Sequence, residues 1–175
     1  MTGAWIGAAF LLTGAAGSGL CICRERCERT RQLKMLEQIF EIAAGEIGYS
    51  RISLPEVLLQ TAQKQSSDPK LNASLIRIAH RLCDGCGQDM DRIWREELDS
   101  WVKNSALLKE EKELLFSFPE RIWYLDGGRQ QAAVADFSNQ MGQAAGQALK
   151  KERDENKVTM LVSTACGIFT ALLLL

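Results

Sequence analysis

The sequence begins with MTGAWIGAAFLLTGAAGSGLCI at residues 1–22 and ends with VTMLVSTACGIFTALLLL at residues 158–175. Neither stretch contains a charged side chain. An apolar helix of roughly 20 residues is long enough to cross the hydrocarbon core of a bilayer. Because hydrocarbon cannot satisfy an open backbone, both stretches should be helical. We therefore predict a membrane-spanning helix at each end, over residues 1–23 and 158–175.

Basic residues flank both predicted spans on their inner sides. Five basic and two acidic residues lie between Arg24 and Lys34, and a second basic group precedes residue 158. A cleaved signal peptide carries its positive charge ahead of the apolar run, so the reversed order here indicates an anchor. Positive flanks stay in the cytoplasm. This predicts an integral membrane protein whose central domain, residues 24–157, is cytoplasmic.

The pattern between the spans is helical throughout. One stripe after the first span recurs at intervals of three and four, as expected for one face of a helix; it comprises Leu33, Leu36, Phe40, Ala43 and Ile47. Further helix starts are predicted at Ser53, Asp68 and Asp89 from capping residues followed by apolar periodicity. Pro119 should break or kink the helix before it.

From Arg129 to Lys157 the chain has no proline and much Ala and Gln, which predicts a long helix that continues into the second span. We see no strand-like alternation. The predicted fold class is all-α, a small cytoplasmic antiparallel helical bundle between an N-terminal and a C-terminal transmembrane helix.

Charge and motifs argue against several classes of function. Residues 35–149 carry 12 basic and 17 acidic side chains. A nucleic-acid surface needs a basic excess, so we expect no nucleic-acid partner. There is a single histidine, and no nucleophile elbow or phosphate-binding loop is present. We expect no enzyme activity, no catalytic residues, no cofactor and no small-molecule substrate.

Cys83 and Cys86 form a C-x-x-C pair one turn after His80. Thiolates at this spacing can supply half of a zinc site, but a structural site needs four ligands. The simpler interpretation is a helix end with two small thiols, so we predict no metal site. A membrane-tethered metal or redox sensor built on Cys83 and Cys86 remains the alternative function.

Two sets of residues are candidate interaction sites. The basic collar, which we define as Arg24, Arg26, Arg29 and Arg31, is a candidate for binding lipid headgroups or an acidic partner. The second set consists of small residues that let helices approach closely within lipid, and we expect it to pack the membrane helices: Gly3, Gly7, Gly14, Ser163 and Gly167.

Several features in order resemble the stage III sporulation protein AB family. They are the apolar start, Arg29-Thr30-Arg31-Gln32-Leu33, Glu46-Ile47-Gly48-Tyr49, Leu54-Pro55-Glu56, Trp94 in the central helix, the Leu107/Leu108 region with the acidic residues after it, and the closing apolar helix. The resemblance covers nearly the whole chain. The sequence departs from it at Phe118-Pro119-Glu120-Arg121-Ile122-Trp123, where the family has a Phe-Gly-x-x-Leu-Gly turn, and Cys83 and Cys86 are not part of the pattern.

The resemblance implies a helical domain like that of type II secretion platform proteins and a role required for endospore formation. It implies a non-enzymatic platform in the channel complex between mother cell and forespore, in the mother-cell-side membrane. The partners that it implies are the cytoplasmic sporulation ATPase, stage III sporulation protein AA, and other membrane channel components. A general membrane adaptor outside sporulation is a further alternative.

Overall fold

A computed structural model describes the backbone of residues 2–50, 52–64, 68–84, 89–122, 125 and 127–174. Within the first and last helices, side chains are described at 14, 17, 20–49, 128–166 and 169. The described residues form seven α-helices and no strand. The helices are α1 Thr2–Ser50, α2 Leu54–Lys64, α3 Pro69–Asp84, α4 Met90–Lys103, α5 Lys109–Phe116, α6 Phe118–Ile122 and α7 Gly127–Leu174. The predicted all-α class is confirmed.

The chain divides into two compact units. Unit 1 comprises Met1–Thr30 and Gly146–Leu175, and unit 2 comprises Arg31–Ala145. α1 and α7 each contribute to both units. The domain boundaries predicted at residues 23 and 157 stay predictions.

Local signals in the sequence explain where the short helices begin. The Asp68 carboxylate accepts hydrogen bonds from the amides of Lys70 (3.0 Å) and Leu71 (3.2 Å), so it caps α3 as predicted. α2 begins after Ser53 and α4 after Asp89. α5 ends before Ser117, and Pro119 lies in the first turn of α6, where its missing amide costs no helical hydrogen bond.

The core of unit 2 is built from the inner faces of its helices. Its centre is an aromatic cluster of Phe40, Trp94, Phe118 and Phe137, with neighbouring ring centroids 4.6–4.9 Å apart. These four side chains come from α1, α4, α6 and α7 and are fully buried. Aromatic rings bury more apolar area than other side chains, so this cluster is the main point at which the helices are held together.

α1 and α7 run antiparallel within unit 2. The Ser138 hydroxyl on α7 donates to the Glu37 carbonyl on α1 at 3.0 Å, and Gln131 lies against Gly48. Residues later in α1 therefore lie beside residues earlier in α7. The predicted antiparallel bundle is found in this unit.

Over the residues that the structure describes, no helix has both the length and the hydropathy that a membrane crossing needs. The side chains of residues 1–13 and of all but one residue from 167 onward lie outside the described set, and these belong to the two predicted spans. The predicted transmembrane ends are therefore not found in the structure.

Candidate functional site: the helix pair of unit 1

Arg26 joins α1 to α7 within unit 1. Its Nη2 atom lies 3.0 Å from the Glu155 carboxylate. Its Nη1 atom donates to Asn156 Oδ1 at 3.3 Å and to Thr159 Oγ1 at 3.1 Å. One guanidinium thus contacts three side chains on the opposite helix, which uses the fork of donors that distinguishes arginine from lysine. We call Arg26, Glu155, Asn156 and Thr159 the polar clasp.

Cys27 adds a further contact between the two helices. Its thiol donates a hydrogen bond to the Glu152 carboxylate at 3.0 Å. This hydrogen bond to a charged acceptor, followed by partial burial, raises the pKa of the Cys27 thiol above its ordinary value. Cys27 therefore acts here as a hydrogen-bond donor between the two helices.

The four arginines of the predicted basic collar have different environments. Arg24 is exposed and makes no ion pair with any described residue. Arg26 is occupied by the polar clasp, and its side chain is 30% exposed. Arg29 is half-buried, Arg31 is exposed, and each interacts with another residue of the chain. Only Arg24 is left fully available to an external group.

The predicted helix-packing residues are described only in part. The side chains at Gly3, Gly7 and Gly167 lie outside the described residues. Gly14 is exposed, and a Cβ placed on it would have open space around it. Ser163 is half-buried on α7. Their role in packing membrane helices therefore stays a prediction.

Exposed apolar side chains mark both helices of unit 1 beyond the polar clasp. On α1 they are Leu20 and Ile22. On α7 they are Val158, Met160, Leu161, Val162 and Phe169. Several large apolar side chains exposed along two paired helices are typical of an interaction site or a membrane contact.

The residues of the alternative sensor hypothesis are described only in part. His80 and Cys83 are exposed on α3, and Cys86 lies outside the described residues. Among the described residues, no group of three or more His, Cys, Asp or Glu side chains could hold a metal ion.

Unit 2 contains a cleft of about 410 Å³ between α1, α3 and α4. Small-molecule pockets are lined mainly by apolar side chains, whereas this lining is mostly polar: Gln32, Asp68, Lys70, Ala73, Ser74, Arg77, Ser100, Trp101 and Asn104. The Asp68 carboxylate is already occupied, since it also accepts the Trp101 indole N–H at 2.9 Å. The cleft therefore lacks the mainly apolar lining typical of a small-molecule site.

An ion-pair network connects α3 and α4 beside this cleft. Glu97 accepts hydrogen bonds from Arg77 at 2.6 Å and Arg81 at 2.9 Å. Burial pushes the pKa of the Glu97 carboxyl upward, but the two guanidinium groups outweigh it and hold the pKa below its ordinary value. Hydrogen bonds to Glu97 and Glu96 raise the pKa of Arg81. This network cannot be predicted from the sequence, because it depends on which helix faces meet.

The comparisons with known proteins agree with this architecture. A solved structure titled "Stage III sporulation protein AB (SpoIIIAB)" matches with a TM-score of 0.61 at 20% sequence identity, over 73% of this chain and 98% of that chain. At this identity the match shows a shared helical fold. A search of the curated proteins found no match.

The sequence itself identifies the family. The family model described as stage III sporulation protein AB matches residues 4–175, which is nearly the whole chain. The chain belongs to the stage III sporulation protein AB family, and the predicted resemblance is confirmed. Membership implies a role in sporulation, so an adaptor working outside sporulation is no longer a competing interpretation.

Proposed function

We propose that this protein is a membrane-held platform of the sporulation channel complex. In this role unit 2 docks the cytoplasmic ATPase, stage III sporulation protein AA, and contacts other membrane components of the channel. The protein carries out no chemistry of its own and is required for endospore formation. The partner and the channel follow from the resemblance to the family.

One observation carries the membrane part of this proposal. In unit 1, apolar side chains are exposed from Val158 to Val162 on α7 and at Leu20 and Ile22 on α1. Uncharged sequence continues beyond them to both ends of the chain. Two paired helices with this much apolar surface have no core in which to bury it, whereas a bilayer would cover it.

The orientation in the membrane is argued from charge. Basic residues lie on the unit 2 side of both apolar segments, from Arg24 onward and up to Lys157. Because positive flanks stay in the cytoplasm, unit 2 is on the cytoplasmic side. For a member of this family that side is the mother cell.

Unit 2 has the properties of a docking module. Its core is continuous through the aromatic cluster, which packs α1, α4, α6 and α7 together. The polar cleft and the charged outer faces of α3 and α4 offer hydrogen-bonding groups to a protein partner. The one histidine, His80, is exposed on α3.

Membrane attachment and sporulation are tested together in a strain whose own gene is disrupted and replaced by a tagged copy. We expect disruption to lower the yield of heat-resistant spores and the copy to restore it. We expect the tagged chain to stay in the membrane pellet after alkaline carbonate extraction, since apolar helices are not released by pH or salt. Release of the chain into the supernatant would contradict membrane attachment, and normal spore yield after disruption would contradict the sporulation role.

A further inference from the structure

The polar clasp determines which residues of α1 and α7 lie at the same level in unit 1. Arg26 contacts Glu155, Asn156 and Thr159, and Cys27 contacts Glu152. In an antiparallel pair, the residue two positions before Arg26 is displaced toward higher numbers on α7, by about 3 Å at the rise of an α-helix. The short Cys27–Glu152 contact places Arg24 about level with Glu155, so Lys157 lies only about 3 Å further along the axis.

Both helices change character at this level. On α1, exposed Leu20 and Ile22 are followed by exposed Arg24. On α7, exposed Lys157 is followed by exposed Val158. The apolar side chains of each helix lie toward the chain end, and the first basic side chain after them is Arg24 on α1 and Lys157 on α7.

The apolar side chains of α7 point in nearly all directions around the helix. Val158, Met160, Leu161 and Val162 are 50–72% exposed, and consecutive residues are separated by about 100° around an α-helix. The less exposed positions are Thr159, which contacts Arg26, and Ser163. A protein partner would cover one side of such a helix, whereas a bilayer covers every side that α1 does not.

The charges at the border divide into two groups. Arg26 is paired with Glu155 and held by two further hydrogen bonds. Arg24 and Lys157 are exposed and have no ion pair or hydrogen bond with the described residues. Two unpaired cations at the edge of an apolar surface are complementary to the phosphate groups of anionic lipids. Their long stems allow the charged ends to reach the headgroups.

We propose that Arg24 and Lys157 form a binding site for the phosphate of an anionic lipid headgroup, and that Arg26 instead fixes the alignment of the two helices. This inference rests on the membrane attachment proposed above. The basic collar therefore contains residues with two different roles. Arg26 binds side chains of α7, whereas Arg24 is available to bind lipid.

The test compares thermal unfolding of the full chain in discs of zwitterionic lipid and in discs that also contain anionic lipid. We expect anionic lipid to raise the unfolding temperature of the wild type, and added salt to reduce this increase because the contact is screened. The double variant Arg24→Gln with Lys157→Gln should lose the increase and match the wild type in zwitterionic discs. Arg26→Gln should unfold at a lower temperature in both lipids and keep the increase.

A control removes two charges from unit 2 by Lys109→Gln with Arg129→Gln, both exposed, and should keep the full increase. The inference is overturned if the Arg24/Lys157 variant keeps the increase, if the control loses it, or if anionic lipid has no effect on the wild type. An increase produced by inorganic phosphate in zwitterionic discs would also overturn it, since the site would then not be specific for a headgroup. Release of the wild-type chain in the alkaline extraction would instead refute membrane attachment itself.

Discussion

Trp94 shows how a single side chain serves both packing and hydrogen bonding in this fold. Its ring is fully buried and stacks on Phe118 with centroids 4.8 Å apart. Its indole N–H donates to the Leu115 carbonyl at 3.0 Å. That carbonyl lies in the last turn of α5, where no amide of the same helix follows to satisfy it. The tryptophan therefore connects α4 to the end of α5.

Replacing Trp94 with Phe should destabilise the protein by about 1–3 kcal/mol, because the buried hydrogen bond from the indole to the Leu115 carbonyl is lost. Circular dichroism during chemical unfolding of the detergent-solubilised chain measures this change without relying on tryptophan fluorescence. Tyr49→Phe is a suitable control because Tyr49 is 94% exposed, and it should have little effect. Equal stability of Trp94→Phe and the wild type would show that the hydrogen bond contributes nothing.

Glu97 makes the stability depend on pH. Since its pKa is lowered in the folded protein, its ion pairs contribute stability that is complete above the pKa of the unfolded chain and is lost as pH falls through the lower, folded value. We expect Glu97→Gln to be less stable than the wild type at neutral pH, and the difference to shrink as pH falls below 4.5, the ordinary value.

Unfolding of both proteins across this pH range measures the effect. Glu41→Gln is the matched control, since Glu41 is exposed and unpaired among the described residues. Its difference from the wild type should remain small at every pH. A constant difference between wild type and Glu97→Gln would contradict the account.

At the scale of the elements, Asp68 and Asp89 stand at comparable helix starts but differ in their contacts. Asp68 accepts two amides of α3 and the Trp101 indole, whereas Asp89 makes no side-chain capping hydrogen bond at α4. Asp68→Ala should cost about 1–2 kcal/mol, as typical for loss of a helix cap. Asp89→Ala should change stability by less than about 0.5 kcal/mol. Similar losses in the two variants, measured by thermal unfolding, would refute this distinction.

Two glycines within the long helices differ in the space around them. A Cβ at Gly45 on α1 would meet open space, whereas one at Gly142 on α7 would collide with the Glu37 side chain. Gly45→Ala should stabilise the protein by about 0.5–1 kcal/mol through helix propensity. Gly142→Ala should gain less, because Glu37 has to move. Unfolding midpoints compare the two variants, and a larger gain for Gly142→Ala would contradict the packing described.

The helices themselves could be predicted from sequence because their signals are local. The cap at Asp68, the break before Pro119 and the long last helix depend on residues a few positions apart. The aromatic cluster and the Arg77–Glu97–Arg81 network could not be predicted, since they depend on which faces meet between distant segments. For the same reason the sequence predicts Arg26 only as part of the basic collar. Its hydrogen-bond partners lie about 130 positions away on α7.

At the scale of the molecule, family membership and two structural features support one account. The chain belongs to a sporulation family. Unit 2 is a helical bundle with a continuous core, and unit 1 is a pair of helices that expose apolar side chains beyond a polar clasp. We have proposed from this combination a protein that holds a docking surface at the membrane. Its central claim is that unit 2 binds the sporulation ATPase.

Calorimetric titration of the full chain in lipid discs with purified stage III sporulation protein AA tests this claim most directly, with empty discs as the control. We expect saturable binding that becomes weaker at high salt, because the charged outer faces of α3 and α4 take part. Absence of binding at either salt concentration, by a chain shown to be folded and helical in the discs, would contradict ATPase docking.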